Sequence, residues 1–406
     1  MRCIVVGGGV IGNSVAWHLA RDGHEVTLLE RDRLGSGTTW HSAGNISWKP
    51  LPDHDQSVLY AYEAIPRVEA ESGQQTGWLR TGRTYVARSE ETLGTFAQFD
   101  ADARARGVEA RWLKPDEARA LNPLIEPSAA RGIWLCALSG RLAPADLAAA
   151  YAIAARRAGA KIVENAPVAR LKRSDGRVTG VETANGVLTA DRVVLAAGLW
   201  SRPLAASAGV ALPQWPAQHF YTIVDAGMTL PRETPSFVSP DDLCYGREEV
   251  GHFLFGCFDE DALTVEPEDL PDPFAFTLFP PLWDKFAPYA ERAAEVFPIL
   301  RTAGIRRFIN GPETFTPDGR PLIGALAGIE GLITASAFNS TGITWSAMAG
   351  ALVADIVAER QSRFPAERYR PDRFGERAAD ADFLRAGTSK IVSGNYRVMG
   401  AGVAGS

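Results

Sequence analysis

The run CIVVGGGVIGNSVAWHLARDGHEVTLLERD, from Cys3 to Asp32, decides the fold. A continuous apolar stretch reads as a buried strand, Gly7-Gly8-Gly9 as a tight turn, and Val10, Ile11, Val15 and Leu19 at helical spacing as a helix. Gly7, Gly9 and Gly12 fill the GxGxxG frame. In it the first glycine permits the turn, the second lets backbone amides approach a pyrophosphate, and the third lets helix and strand pack closely. The helix N-terminus then offers partial positive charge to phosphates, with Val10 and Ile11 in its first turn. A second strand, Glu25 to Leu29, ends at Glu30, with Arg31 beside it. The Glu30 carboxylate stands where a ribose 2′-hydroxyl is accepted and a 2′-phosphate repelled. Strand, glycines, helix, strand and acid in this order predict a Rossmann-like dinucleotide site.

Downstream, Pro144 to Ala158 reads as a helix with Leu147, Tyr151 and Ala155 on one face. Short strands follow, including one that begins at Val168, and the last runs from Arg192 into the turn Ala197-Gly198-Leu199-Trp200. That small-residue turn predicts a second approach of backbone to the dinucleotide. Between about Pro203 and Gly311 the chain changes to aromatic, strand-like stretches broken by prolines, which suits a mainly antiparallel sheet walling a cavity. A helix is expected from Pro281 to Val296, a strand from Gly331 to Ala335, and a helix from Ile343 to Arg360. The expected class is α/β. Residues 1–80, 131–202 and 312–374 are expected to form the cofactor domain from discontinuous pieces, 81–130 and 203–311 an interleaved α+β substrate domain, and 375–406 a C-terminal tail that serves as a packing arm or an oligomer contact.

A chain of 406 residues with 46% hydrophobic and 22% charged content can bury a large core. The net charge of -6, without a basic stretch, argues against nucleic acid as a partner. No apolar run approaches the roughly 20 residues that span a bilayer, and the N-terminal apolar run breaks into glycines too soon for a signal peptide, so no membrane partner and a cytoplasmic location are expected. Cys3, Cys136, Cys244 and Cys257 are too scattered for a zinc site or disulfide framework.

The loop after the second strand, Gly35-Ser36-Gly37-Thr38-Thr39-Trp40-His41-Ser42-Ala43-Gly44, places two large rings in a small polar stretch. With this loop the sequence resembles the D-amino-acid-oxidase superfamily of flavoproteins, in particular its dimethylglycine dehydrogenase, sarcosine dehydrogenase and 4-methylaminobutanoate oxidase branch, up to about Phe374. The resemblance implies FAD. It also implies that His41, the histidine of the TWHSAG motif, is joined covalently to the flavin's 8α-methyl carbon; a neutral imidazole is a suitable nucleophile. Trp40 would exclude water and fix the histidine's rotamer, while Ser36, Thr38 and Thr39 offer hydroxyls and amides to the cofactor. Asn339, Ser340, Thr341, Gly342, Ile343 and Thr344 open the last helix, whose N-terminal amides family relatives set against the flavin ring. Some monomeric sarcosine oxidases attach flavin through a cysteine near NGPETFTPD; here Asn310 and Gly311 stand there instead.

The resemblance further implies oxidation of a secondary or tertiary amine, an N-methyl or α-carbon giving up a hydride to FAD and the iminium hydrolysing to an aldehyde. His219 and Tyr245 match substrate-site positions, the first to take a proton or orient the amine, the second to hydrogen-bond it. Arg247 offers a guanidinium to a carboxylate or, beside Glu248 and Glu249, forms a salt bridge. Many relatives carry a downstream folate-binding domain; this chain ends about thirty residues after Phe374, so free formaldehyde is the expected product from an N-methyl group. Oxygen or an electron-transfer protein must take the electrons. A D-amino or cyclic imino acid is the alternative substrate. A non-catalytic regulatory subunit is the alternative of another class, against which the glycine frame and the TTWHSAG loop argue.

Overall fold

The computed structural model describes residues 1–50 and 52–394. Its first sheet has six strands in the order Leu322–Ala325, Leu332–Ser336, Arg192–Leu195, Arg2–Val6, Glu25–Leu29, Lys161–Val163. All pairs are parallel except the antiparallel edge made by Leu322–Ala325. Successive side chains of a strand point to opposite faces, so Arg2–Val6 is buried twice over. Cys3 and Val5 join the core formed with the helices Val10–Arg21, Pro144–Arg157 and Gly342–Val357. Ile4 and Val6 join a separate core with Leu171, Val178 and Val181 of a three-stranded antiparallel sheet. A near-continuous apolar strand is what such double burial requires.

The glycine frame is needed for contact as much as for cofactor. Gly7 has φ +108°, and a Cβ there would meet Ala196 O at 2.4 Å. A Cβ on Gly12 would meet Gly7 O at 1.9 Å, so the third glycine lets the helix sit on the turn.

The second sheet has eight strands in the order Ile305–Phe315, Trp215–Val224, His252–Cys257, Cys244–Glu249, Ser236–Ser239, Arg83–Ala87, Gly132–Cys136, Ala110–Trp112. Only the pairing of Ser236–Ser239 with Arg83–Ala87 is parallel. Two expected boundaries cut through this sheet. Gly132–Cys136 lies within the span assigned to the cofactor domain, yet it is the antiparallel partner of Arg83–Ala87. Ile305–Phe315 runs unbroken past residue 311 because it pairs along the whole of Trp215–Val224.

The helix expected at 281–296 is shorter, Trp283–Ala293, and the last expected helix ends at Val357, before Glu359 turns left-handed at φ 53°. Part of the expected tail is a helix, Ala381–Gly394, whose Leu384, Thr388 and Val392 are buried at four-residue spacing. Residues 395–406 of that tail lie outside the described residues. Among the described residues no helix is long and apolar enough to cross a membrane.

Candidate active site

A cavity of about 360 Å³ opens at the carboxyl ends of the parallel strands. Gly7, Gly9, Val10 and Ile11 form one end of its wall, with Glu30, Arg31 and Val168 beside them. Gly12 lies beneath, packed on the turn. Glu30 is buried and accepts from the amides of Gly8 at 2.6 Å and Asp32 at 2.9 Å. Burial pushes its carboxyl above the usual range, against those two hydrogen bonds. Ala197, Gly198 and Trp200 supply another part of the wall. The Arg31 guanidinium stands 4.6 Å from the Trp200 ring centre, and Phe274 meets that ring edge-on at 5.2 Å.

The loop from Gly35 to Gly44 is stitched to both sheets. Gly35 N–H donates to Gly8 O at 2.9 Å, and Val10 N–H donates to Thr39 Oγ1 at 3.0 Å. Thr38 Oγ1 donates to Pro312 O at 3.1 Å, and Ser36 O accepts from Phe276 N at 2.9 Å. Ser36, Thr38 and Thr39 line the large cavity, while His41 lines a smaller adjoining one of about 90 Å³. Trp40 lines neither; its ring stands perpendicular to the imidazole, at 89° and 5.8 Å.

His41 is 3% exposed, and its Nε2 is buried without a hydrogen-bond partner. Its ring lies against Gly311, where a Cβ would come within 2.6 Å of Cε1 and Nε2. Burial holds its pKa down to about 4, opposed by the nearby Glu313 carboxylate, so the imidazole is neutral at pH 7. Ser42, Glu313, Ser340 and Ile343 line both cavities.

The turn before Gly342–Val357 is strained. Ala337, Asn339 and Ser340 have φ of 54°, 50° and 62°, a cost accepted mainly where position matters. Asn339 Oδ1 accepts from Thr316 N at 2.9 Å, and Ser340 Oγ donates to Glu313. Asn339, Ser340, Gly342 and Ile343 line the large cavity; Thr341 and Thr344 line the smaller one.

In the smaller cavity His219 Nε2 and Tyr245 OH are 3.0 Å apart, their rings nearly parallel at 10°. Phe258 stacks on both, at 5.8 Å and 4.8 Å. The two residues come from strands separated by His252–Cys257, and Gly256 makes the approach feasible: a Cβ there would meet the Tyr245 ring at 2.2 Å.

Of the two readings of Arg247, the structure shows the salt bridge and not a place in the cavity. The residue does not line this cavity, because its Nε donates to Ala43 O at 2.5 Å, its Nη1 to Glu248 O at 2.7 Å, and its Nη2 pairs with Glu249 at 2.5 Å. The cations lining the cavity are Lys49 and Arg83. Burial, with help from the Arg83 charge, holds the Lys49 ammonium down to about 8. Tyr221, one of the aromatic residues of the 203–311 stretch, also lines the cavity, as does Glu313, which nothing in the sequence singles out. Arg83 carried a usable signal, being a charge at the head of the apolar strand RTYVA. Gln214, also missed, ties the two far ends together: its Nε2 donates to Gly198 O at 2.9 Å and its Oε1 accepts from Ser336 Oγ at 2.7 Å.

The sequence pattern of the DAO family, FAD dependent oxidoreductase, matches residues 2–356. The 4-methylaminobutanoate oxidase (formaldehyde-forming) of Paenarthrobacter nicotinovorans is 35% identical over 393 residues, covering 96% of this chain and 48% of that protein. Human mitochondrial sarcosine dehydrogenase is 31% identical over 406 residues, covering 98% of this chain and 44% of that protein. The chain thus spans less than half the length of these curated relatives. Glycine oxidase from Geobacillus kaustophilus superposes with a TM-score of 0.77 at 25% identity, over 92% of this chain and 99% of that one.

Proposed function

Because the chain belongs to the DAO family of FAD-dependent oxidoreductases, we propose that it oxidises a secondary or tertiary amine or amino acid at a carbon next to nitrogen, with FAD tethered through His41. An N-methyl group is the favoured position of attack, which makes formaldehyde the product. The residues fit the cofactor. Gly7 and Gly9 of the glycine turn line the large cavity, and His41 presents a buried, neutral, unpartnered Nε2 in the wall of the smaller one. That nitrogen is the observation that carries the reading: an orphaned buried polar atom is costly unless a partner completes it.

Bound FAD supplies the two-electron acceptor. The chain's own residues prepare the amine. A protonated nitrogen has no lone pair to assist loss of hydride from its neighbour, so the proton must leave first. The His219–Tyr245 pair is suited to hold it, passing it between Nε2 and the phenol oxygen across 3.0 Å. Phe258 stacks beneath both rings and excludes water from that side. Glu313, held by Ser340, sets a negative charge at the junction of the two cavities. Water then hydrolyses the iminium to an aldehyde and the dealkylated amine.

Denaturing gel electrophoresis of purified protein tests the tether: flavin fluorescence should stay in the wild-type band and vanish from His41→Ala. Trapping formaldehyde after exposure to N-methyl amines tests the reaction. Flavin released from the wild type would refute the tether, and ammonia or a cyclic imine without formaldehyde would refute demethylation.

A further inference from the structure

His41 sits in its loop between anchors on either side. Before it, Thr38 Oγ1 donates to Pro312 O and Thr39 Oγ1 accepts from Val10 N. Two residues after it, Ala43 O accepts from Arg247 Nε at 2.5 Å, across 204 positions of the chain. Arg247 is 4% exposed and stands on the strand Cys244–Glu249. Tyr245 is two residues earlier on that strand, and residues two apart share a face. One strand therefore carries both the phenol that meets His219 and the guanidinium that holds the loop of His41.

An ion pair alone does not call for this arrangement. The pair with Glu249 uses Nη2, while Nε and Nη1 donate to two carbonyls, Ala43 O and Glu248 O. A rigid planar fork with donors at fixed angles serves such acceptors, and a lysine in its place has a methylene where Nε stands. The same seam is closed a second time. The loop runs into the strand Asn45–Ser47, which pairs with Ser139–Arg141, and Arg141 forms an ion pair with Glu248, next to Arg247. Glu248 accepts in turn from Gly251 N–H at 2.5 Å. Buried, charge-assisted hydrogen bonds are the strong ones, and these fix the loop's exit from His41 to the eight-stranded sheet.

We propose that Arg247 is a positioning residue for the flavin tether: through Ala43 O it holds His41 Nε2 where the bond to the 8α-methyl carbon forms. The inference rests on the reading of His41 as the tether. In that step a C–N bond replaces one methyl C–H bond and the imidazole N–H proton is released. The two electrons left on the flavin pass to dioxygen, which with the two protons becomes hydrogen peroxide. Bond formation demands a near-attack placement of nitrogen and carbon, and a displacement of about 1 Å costs roughly 10²-fold in rate.

The test compares the full-length wild type with Arg247→Lys, Arg247→Met and Glu249→Gln, each purified with FAD and then kept in air with FAD in excess. Bound flavin is measured in the native protein, and the share that stays in the acid-precipitated pellet is followed with time. Arg247→Lys keeps a charge beside Glu249 and loses Nε; Glu249→Gln removes the ion pair and keeps Nε. Both Arg247 variants should bind FAD but gain covalent flavin at least about tenfold more slowly than wild type, up to roughly 10²-fold. Glu249→Gln should load as wild type does. A merely structural role would lower bound FAD and Tm together and leave the covalent share of the bound flavin unchanged. Should Arg247→Met fail to fold, the milder Arg247→Lys decides the matter. Equal loading rates in Arg247→Lys and wild type overturn the inference alone, as does an equal loss in Glu249→Gln, which would assign the effect to the ion pair. Complete release of flavin from wild type overturns the tether reading and the inference with it.

Discussion

The His41 imidazole lies directly over Gly311, so close that a Cβ on the glycine would sit 2.6 Å from Cε1 and Nε2. The strand Ile305–Phe315 therefore sets the position of the loop histidine through the absence of a side chain. Gly311→Ala should displace the ring while leaving the sheet paired, at a cost of about 1–3 kcal/mol for overpacking. The expected outcome is soluble protein with a modestly lower Tm and little flavin fluorescence in the denatured band. Full covalent loading of the variant would show that the contact does not govern His41.

Tyr245→Phe keeps the ring that stacks on Phe258 and packs over Gly256, but removes the hydroxyl 3.0 Å from His219 Nε2. If the pair holds the amine's proton, anaerobic flavin reduction should slow by roughly 10²-fold or more, the scale of acid–base contributions. His219→Asn should do the same, and the double variant should be little worse than either single one, because the two act as a unit. Additive losses in stopped-flow traces would mean that the two residues act separately.

His18 offers a pH test of stability away from the cofactor. Its ring is buried in a helix interface, Nδ1 2.8 Å from Ser14 O and Nε2 3.1 Å from Tyr60 OH, and burial lowers its pKa to about 4. The unfolded chain takes up this proton near pH 6.5 and the folded one only near 4. The contribution of His18 to stability is therefore constant above pH 6.5 and falls as pH drops from 6.5 toward 4, by up to roughly 3 kcal/mol. Carboxylates such as Asp241 and Asp318, held below their usual range, lose their contribution only at lower pH. Urea midpoints across this window should slope, and His18→Asn should flatten part of the slope.

The cofactor side was largely legible because its signals are local. The glycine turn, the Ala197-Gly198 turn, the Gly35–Gly44 loop and the Asn339–Thr344 turn are each contiguous, and the fold brings their residues to two adjoining cavities. The substrate side depends on cross-strand register. Nothing in RTYVA or in DLCYGREE says that Arg83 and Tyr245 will share a face, because that relation passes through Ser236 and Val238 on a third strand. Arg247 adjoins Tyr245 in the chain, which left it open as a carboxylate partner or a salt-bridge residue, and its neighbours Glu248 and Glu249 engage it. The helix Ala381–Gly394 escaped notice because the middle of its buried stripe is Thr388, which breaks the apolar pattern.

Asn339 separates backbone strain from side-chain bonding in the turn that leads into Gly342–Val357. Its φ of 50° favours glycine, while its Oδ1 accepts from the Thr316 amide at 2.9 Å. Asn339→Gly keeps the conformation and loses the bond, stranding a buried donor at a cost of about 1–3 kcal/mol. Asn339→Ala loses the bond and adds left-handed strain of roughly 1 kcal/mol. Alanine should therefore be the less stable of the two in urea titration, and its flavin spectrum should shift further from wild type because Ser340, next in the turn, lines both cavities. Equal stability of the two variants would show that the turn relaxes without its asparagine, and the strain would then have no part in setting the helix N-terminus against the cofactor cavity.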